Sequence, residues 1–289
     1  MVAARLSLLQ IHAHPDDESS KGAATMSRYA AEGVHGTLVC CTGGEEGEVL
    51  NKAMDRPEVR DNLPAVRQAE LQEATKIIGY DTLHMLGYRD SGMPDSEANR
   101  RPDNFANAPV EEAVDRFARI LREERPQVVI TYGEDQSRYP HPDHLRVHDI
   151  TAPSIARAAD PTWTDGDAWR VQKLYYSHGF SRRRLLAMHG WFEEQGLESP
   201  YVDWLSKIKD DHDIKVTTRV DTGEHIAVMR LALLAHRTQV DPEGFWFKVP
   251  EAEMRVRHPW EEYQRAWSLV PVTELDQEGF EHDLFAGLR

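Results

Sequence analysis

LSLLQIHAHPDDE, residues 6–18, is the stretch on which the reading of the fold turns. Leu6 to Ile11 is a short, mostly apolar run, and it reads as a strand covered on both faces. It passes directly into His14-Pro15-Asp16-Asp17-Glu18, a dense polar turn. Outward from it, short apolar runs alternate with amphipathic stretches. Ser20 to Glu32 reads as a helix, stopped by Gly33. GTLVCC (36–41) reads as a second strand, Ala65 to Ile78 as a helix and Thr82 to Leu86 as a third strand. Val110 to Glu124 sets its apolar residues on one helical stripe. QVVITY (127–132) is a fourth strand, Leu145 to Ala159 a helix and Val171 to Ser177 a fifth strand.

Strands alternating with helices imply βαβ units. The expectation is an α/β fold: a mainly parallel sheet with helices on both faces and a C-terminal extension. Residues 1–180 form the expected core. Residues 181–289 are the C-terminal part of the same domain, expected to wall a substrate pocket. In that part Ser181 to Gln195 and Thr222 to His236 read as helices. Phe245, Trp246, Phe247, Trp260 and Trp267 are expected to cap the sheet or line the pocket.

The chain has 289 residues, 40% of them hydrophobic and 29% charged, which suits a folded domain with a sizeable core. With 34 Lys and Arg against 49 Asp and Glu, the net charge is −15. That disfavours nucleic acid and anionic membranes as partners and leaves a small-molecule substrate. No apolar run of about 18 residues is present, so no membrane span is expected. The N-terminus meets charge too early for a signal peptide, and the only cysteines, Cys40 and Cys41, are adjacent. A reducing cytoplasm is the expected location, with the protein a monomer or small homo-oligomer.

In open α/β sheets ligands bind beyond the carboxyl ends of strands, where the strand order reverses. His14 to Glu18 follows the first strand. Tyr139-Pro140-His141-Pro142-Asp143-His144 follows the fourth, where it reads as a short loop. Those two strands are neighbours in a sheet wound outward from its first strand, so the clusters are expected to face each other. Together they offer the imidazole and carboxylate ligands of Zn²⁺. His14, Asp17 and His144 form a three-ligand set that leaves one position for water, whose pKa such an ion lowers toward ~7. Asp16 is then free as general base, and His141 and Tyr139 as partners of an oxyanion or a departing amine.

These residues resemble the LmbE-like, or PIG-L-type, zinc-dependent N-deacetylases, which carry AHPDD and HPDH motifs on a Rossmann-like sheet. Here the motifs read Ala13-His14-Pro15-Asp16-Asp17 and His141-Pro142-Asp143-His144. The resemblance implies His14, Asp17 and His144 as metal ligands, Asp16 as base, His141 as acid or oxyanion partner and Asp143 as the group that tunes His141. It places Tyr139 near the oxyanion. The segments GEEGE (44–48), Arg67 with Glu70, and YRDSGM (88–93) look like the mycothiol branch of the family. In that branch, positions matching Glu48, Arg67 and Asp90 contact the sugar or inositol. Lys21, the run from Gly87 to Pro109 and AHRTQVDPEGFWF (235–247) look like the members that cleave mycothiol S-conjugates. The implied reaction hydrolyses the amide between glucosamine and an S-substituted N-acetylcysteine, giving a mercapturate and glucosaminyl-inositol. Deacetylation of N-acetylglucosaminyl-inositol is the nearest alternative; a non-catalytic sugar-binding module is a more distant one. Fe²⁺ suits the same ligands, and the set also matches the facial triad of iron oxygenases, whose usual all-β setting differs.

Other residues carry plainer readings. Lys21 divides between a solvated lysine and a substrate contact. Arg67 and Glu70 read alternatively as a surface ion pair. His12 reads as a core group, His148 as a helix-surface residue, His178 as a neighbour of the pocket, and Cys40 and Cys41 as core residues.

Overall fold

The parallel strands β1 (Ser7–His12), β2 (His35–Thr42), β3 (Thr82–Tyr88), β4 (Val128–Tyr132) and β5 (Lys173–Ser177) make up most of one sheet. Two further strands, β6 (Thr218–Asp221) and β7 (Trp260–Ser268), complete it, with β7 antiparallel to both β5 and β6. The order is β3-β2-β1-β4-β5-β7-β6. The structure is a computed structural model that describes residues 5–135, 139–209 and 212–289.

β1 and β4 are buried along their whole length. With helices on both faces there is no solvent side, so neither strand needs polar alternation. Leu8, Val128, Ile130 and Tyr175 point into one core, and Leu9, Ile11, Val39 and Val129 into the other. The helices are α1 (Asp17–Ser20), α2 (Ala23–Ala31), α3 (Pro57–Arg60), α4 (Leu63–Ile78), α5 (Val110–Glu124), α6 (Pro142–Ala159), α7 (Arg182–Gln195), α8 (Val202–Lys207), α9 (Ile226–Ala235) and α10 (Glu251–Arg257). None among the described residues is long and apolar enough to cross a membrane.

The chain winds from β1 through β2 to β3, then returns to the other side of β1 with β4 and β5. The reversal therefore lies between β1 and β4, which pair in register at Leu8–Val128, Leu9–Val129 and Gln10–Ile130. Both polar clusters emerge at the carboxyl ends of this pair, as the alternation of the sequence implied.

Several local readings change. The helix expected from Ser20 to Glu32 is two helices, broken at Gly22, whose φ is +110°. A Cβ there would lie 2.9 Å from the Gln10 amide, so both backbone and space require glycine. The expected loop at residues 139–144 ends at His141, because Pro142 opens α6. Proline suits that first position, since its fixed φ is helical and its missing N–H would have no partner. β6 and β7 lay outside the sequence reading. The segment WEEYQRAWS is rich in charged residues, and its place in the sheet comes from pairing with β5 rather than from alternation. The helix read from Thr222 starts only at Ile226, after a single 3₁₀ turn. Cys40 and Cys41 are buried and unpaired, and burial pushes both thiols well up, as core residues.

Candidate active site

The turn after β1 is shaped by its own side chains. The backbone N–H of His14 donates to Asp17 Oδ2 at 3.0 Å. Asp16 adopts φ 115°, a left-handed conformation that is costly for a residue with a Cβ. Three contacts hold it there. Its N–H donates to Glu18 Oε2 at 2.9 Å, Arg67 Nη2 lies 3.3 Å from its Oδ2, and the same nitrogen donates to Pro15 O at 2.6 Å. From the other side, His141 caps α6: its Nδ1 accepts the Asp143 N–H at 3.2 Å. His144 then projects from the first turn of the helix, its ring stacked on Tyr132 with centroids 4.4 Å apart.

These two elements bring His14, Asp17 and His144 together. Asp17 Oδ2 lies 3.4 Å from His14 Nδ1 and 3.3 Å from His144 Nε2. Two donors each ~2.0–2.1 Å from a tetrahedral ion stand roughly 3.3 Å apart, so these separations match the edges of a zinc-sized polyhedron. His144 Nε2 is buried and makes no hydrogen bond, as a nitrogen reserved for a cation does. The carboxylates around His14 favour positive charge at that ring. Burial opposes charging His14, yet Asp143, Asp17 and Asp90 hold its imidazole well above the ordinary range. The donor set fits a divalent cation.

A second group, His14, Asp90, His141 and Asp143, also draws its donor atoms within 4.8 Å of one another. Its carboxylates are already occupied. Asp143 Oδ2 accepts from Ser91 N–H at 2.9 Å, and Ser91 Oγ donates to Oδ1. Asp90 accepts the N–H groups of Gly92 and Glu46. This group is therefore a hydrogen-bonding shell behind His14, whose Nε2 lies 3.2 Å from Asp143 Oδ2. Such a shell fixes which ring nitrogen faces a metal. The Asp143 carboxylate bonds His14 and lies 3.9 Å from His141 Nδ1, where its charge favours the protonated ring, and the backbone N–H of Asp143 donates to His141.

That N–H makes His141 Nδ1 an acceptor, so in the neutral ring the proton sits on Nε2. Burial, then the neighbouring His14, pushes the His141 pKa down to about 4. Asp16 moves the other way. Burial and the charge of Asp17 raise its carboxyl against the pull of Arg67. For Asp17 burial is outweighed by Lys21 and His144, which hold it well below the ordinary range as a permanent anion. Tyr139 stands at the mouth, 54% exposed, with its ring 5.9 Å from His141 and 5.3 Å from His144.

The residues expected at the substrate occupy varied places. Lys21 sets its ammonium on Asp17 Oδ1 at 2.6 Å. Arg67 is buried and donates to Gly44 O at 2.6 Å, tying α4 to the acidic loop. It makes no surface pair with Glu70, which instead accepts the N–H and hydroxyl of Thr238. Asp90 is buried beneath the same loop, and Glu48 is exposed on it. His12 is a core residue held near pKa 4 by burial. His148 bonds the Tyr132 carbonyl, and His178 borders a cleft beside Lys21.

Sequence reasoning gave no role to Glu18, His236 or Tyr132. Glu18 sits inside the decisive motif, but its partner is 218 positions away: His236 Nε2 lies 2.6 Å from Glu18 Oε1, both side chains buried. No spacing rule links such a pair. His236→Ala is expected to lower the unfolding free energy by about 3–5 kcal/mol, because it leaves a buried carboxylate uncompensated. Urea unfolding of variant and parent checks this, and a loss below ~1 kcal/mol would mean that water replaces the imidazole.

The PIG-L family, described as GlcNAc-PI de-N-acetylase, matches residues 9–155. The chain is 42% identical to mycothiol S-conjugate amidase of Streptomyces coelicolor, across 99% of this chain and 98% of the relative. It is 39% identical to 1D-myo-inositol 2-acetamido-2-deoxy-alpha-D-glucopyranoside deacetylase of Thermobispora bispora, across 83% and 81%. Among solved structures, N,N'-diacetylchitobiose deacetylase from Pyrococcus horikoshii shares the fold, with a TM-score of 0.61 at 19% identity, covering 91% of this chain and 84% of that one.

Proposed function

The chain belongs to the PIG-L family of GlcNAc-PI de-N-acetylases, hydrolases that act on amides, and from that premise we propose that it cleaves mycothiol S-conjugates to a mercapturate and glucosaminyl-inositol. The observation that carries the reaction class is the triangle of His14, Asp17 and His144 with the acid Asp16, held by Arg67 and outside the triangle, beside it. The choice of substrate is supported by end-to-end likeness to an S-conjugate amidase, where the deacetylase relatives match less closely.

His14 Nδ1, Asp17 Oδ2 and His144 Nε2 would hold Zn²⁺, or Fe²⁺, which the same donors accept. When bound, such an ion supplies Lewis acidity and lowers the pKa of water from 15.7 toward ~7. The protein's own groups do the rest. Asp16, raised above an ordinary carboxyl, takes the proton of the attacking water. Arg67 keeps that carboxylate in place. His141, with its proton on Nε2, donates to the charge that develops on the carbonyl oxygen, and Tyr139 flanks it. The protonated Asp16 then returns that proton to the departing amine. Lys21 neutralises the outer oxygen of Asp17, which leaves Oδ2 as the inward donor, and faces the substrate from that side. Glu48 meets sugar or inositol hydroxyls from the exposed loop, while Arg67 and Asp90 hold that loop from below.

The alternative of deacetylating N-acetylglucosaminyl-inositol uses the same site. The test is kcat/KM on both substrates with the same metal-loaded protein. The S-conjugate is expected to be preferred by about tenfold or more, a discrimination of ~1.4 kcal/mol. The reverse order would assign the chain to deacetylation, and no hydrolysis of either would leave a sugar-binding role.

A further inference from the structure

After β5 the chain turns through His178-Gly179-Phe180 into α7. Gly179 lies against Lys21, since a Cβ on it would stand 3.8 Å from Lys21 Cγ. Lys21 in turn touches Asp17, so a single side chain separates this turn from the donor triangle. A cleft lined by Lys21, Gly179 and Arg184 begins there. Arg184, whose Nη1 donates to Gly179 O at 3.1 Å, also borders a second, apolar recess. Phe180, Leu185, Met188, Phe245, Trp246 and Met254 line that recess.

The recess is an aromatic cluster left partly open. Phe180 lies 5.1 Å from Trp204 and 5.4 Å from Trp246, and Phe245 lies 4.5 Å from Trp246, centroid to centroid. None of the consecutive aromatics Phe245, Trp246 and Phe247 is fully buried, and Trp204 is 41% exposed. Large apolar surface gathered at the substrate end of a sheet is surface that a ligand covers. Met188 and Met254 supply walls that adapt to varied shapes. Arg184 is the sole charged side chain among the lining residues.

We propose that this recess receives the S-linked substituent of the conjugate, and that it selects apolar and above all aromatic groups. The inference rests on the S-conjugate reading and deepens it. In an S-substituted cysteine the substituent begins four bonds from the reacting carbonyl carbon. Here the recess meets the cleft beside Lys21 at Arg184, which lines both. An acetyl group ends at its methyl and never reaches the recess. The proposal gives residues 181–289 a specific task as the wall that reads the substituent.

The test compares S-benzyl and S-methyl mycothiol as substrates of wild type, Trp246→Ala and Met188→Phe. Trp246→Ala removes a stacking face, and Met188→Phe fills the recess while keeping the rim. Both are expected to lower kcat/KM for the S-benzyl conjugate by about tenfold and to leave the S-methyl conjugate within about twofold. Calorimetry with S-benzyl-N-acetylcysteine on metal-depleted protein gives a separate readout, with binding in wild type and loss of it in both variants. Equal effects on the two conjugates, or unchanged binding of the benzyl compound, would overturn the proposal. A wild type that hydrolyses neither conjugate would overturn the functional reading, and calorimetry would then decide on the recess alone.

Discussion

Asp16→Asn is expected to lose about 10²–10⁴-fold in kcat on the S-conjugate while keeping its full content of metal, the range that a general base contributes. The expectation follows from where Asp16 sits. Asp17, one residue on, forms the donor triangle, whereas Asp16 points to Arg67 and is 31% exposed at its side chain. Removing its charge leaves His14, Asp17 and His144 untouched and takes away the group that accepts the proton. Asparagine is the informative substitution. Residue 16 has a left-handed backbone, which asparagine tolerates far better than alanine, so loss of turnover is not confused with collapse of the turn. Asp16→Ala should lose turnover to the same degree and some stability as well. Steady-state kinetics with metal analysis of the same sample checks both. Full turnover in Asp16→Asn would remove Asp16 from the chemistry.

His144→Ala is expected to lose metal and turnover together. One neutral donor of three disappears, and the two that remain no longer enclose a cation. After dialysis against a chelator and return of Zn²⁺, wild type should regain about one ion per chain and its activity, and the variant neither. The fold should persist. The ring of His144 stacks on Tyr132, and its loss leaves a cavity that costs on the order of 1–3 kcal/mol, within the stability of an ordinary domain. A His144→Ala protein that retains stoichiometric metal would dismantle the proposed ligand set. The two variants make a pair: one separates chemistry from metal, and the other removes both.

Much of the site can be read from residue types alone. His14, Asp16, Asp17, His141 and His144 lie in two short motifs, and each motif follows a strand whose apolar run is unmistakable. Their convergence follows from one topological rule, because a sheet that reverses between β1 and β4 must bring the two carboxyl ends side by side. The C-terminal part was less legible for a physical reason. β7 is read as a strand only because β5 offers it an antiparallel edge, and its own sequence, WEEYQRAWS, carries more charge than a strand by itself would. Likewise, Arg67 and Glu70 are three apart on α4 and look like a solvated pair. Burial divides them: Arg67 serves the turn of Asp16, and Glu70 serves Thr238.

The sequence by itself determined the α/β alternation, the strand ends and the imidazoles and carboxylates that gather there, because each depends on local periodicity or on the chemistry of neighbouring residues. Only the tertiary structure decided that Asp143 supports His14, that His236 balances Glu18, and that Lys21 rests on Asp17. Those contacts join side chains far apart in the chain or set by the direction of a helix turn. Their free energy comes from burying charge against charge at short range, a quantity that depends on distance and desolvation and leaves no periodic mark in the order of residues.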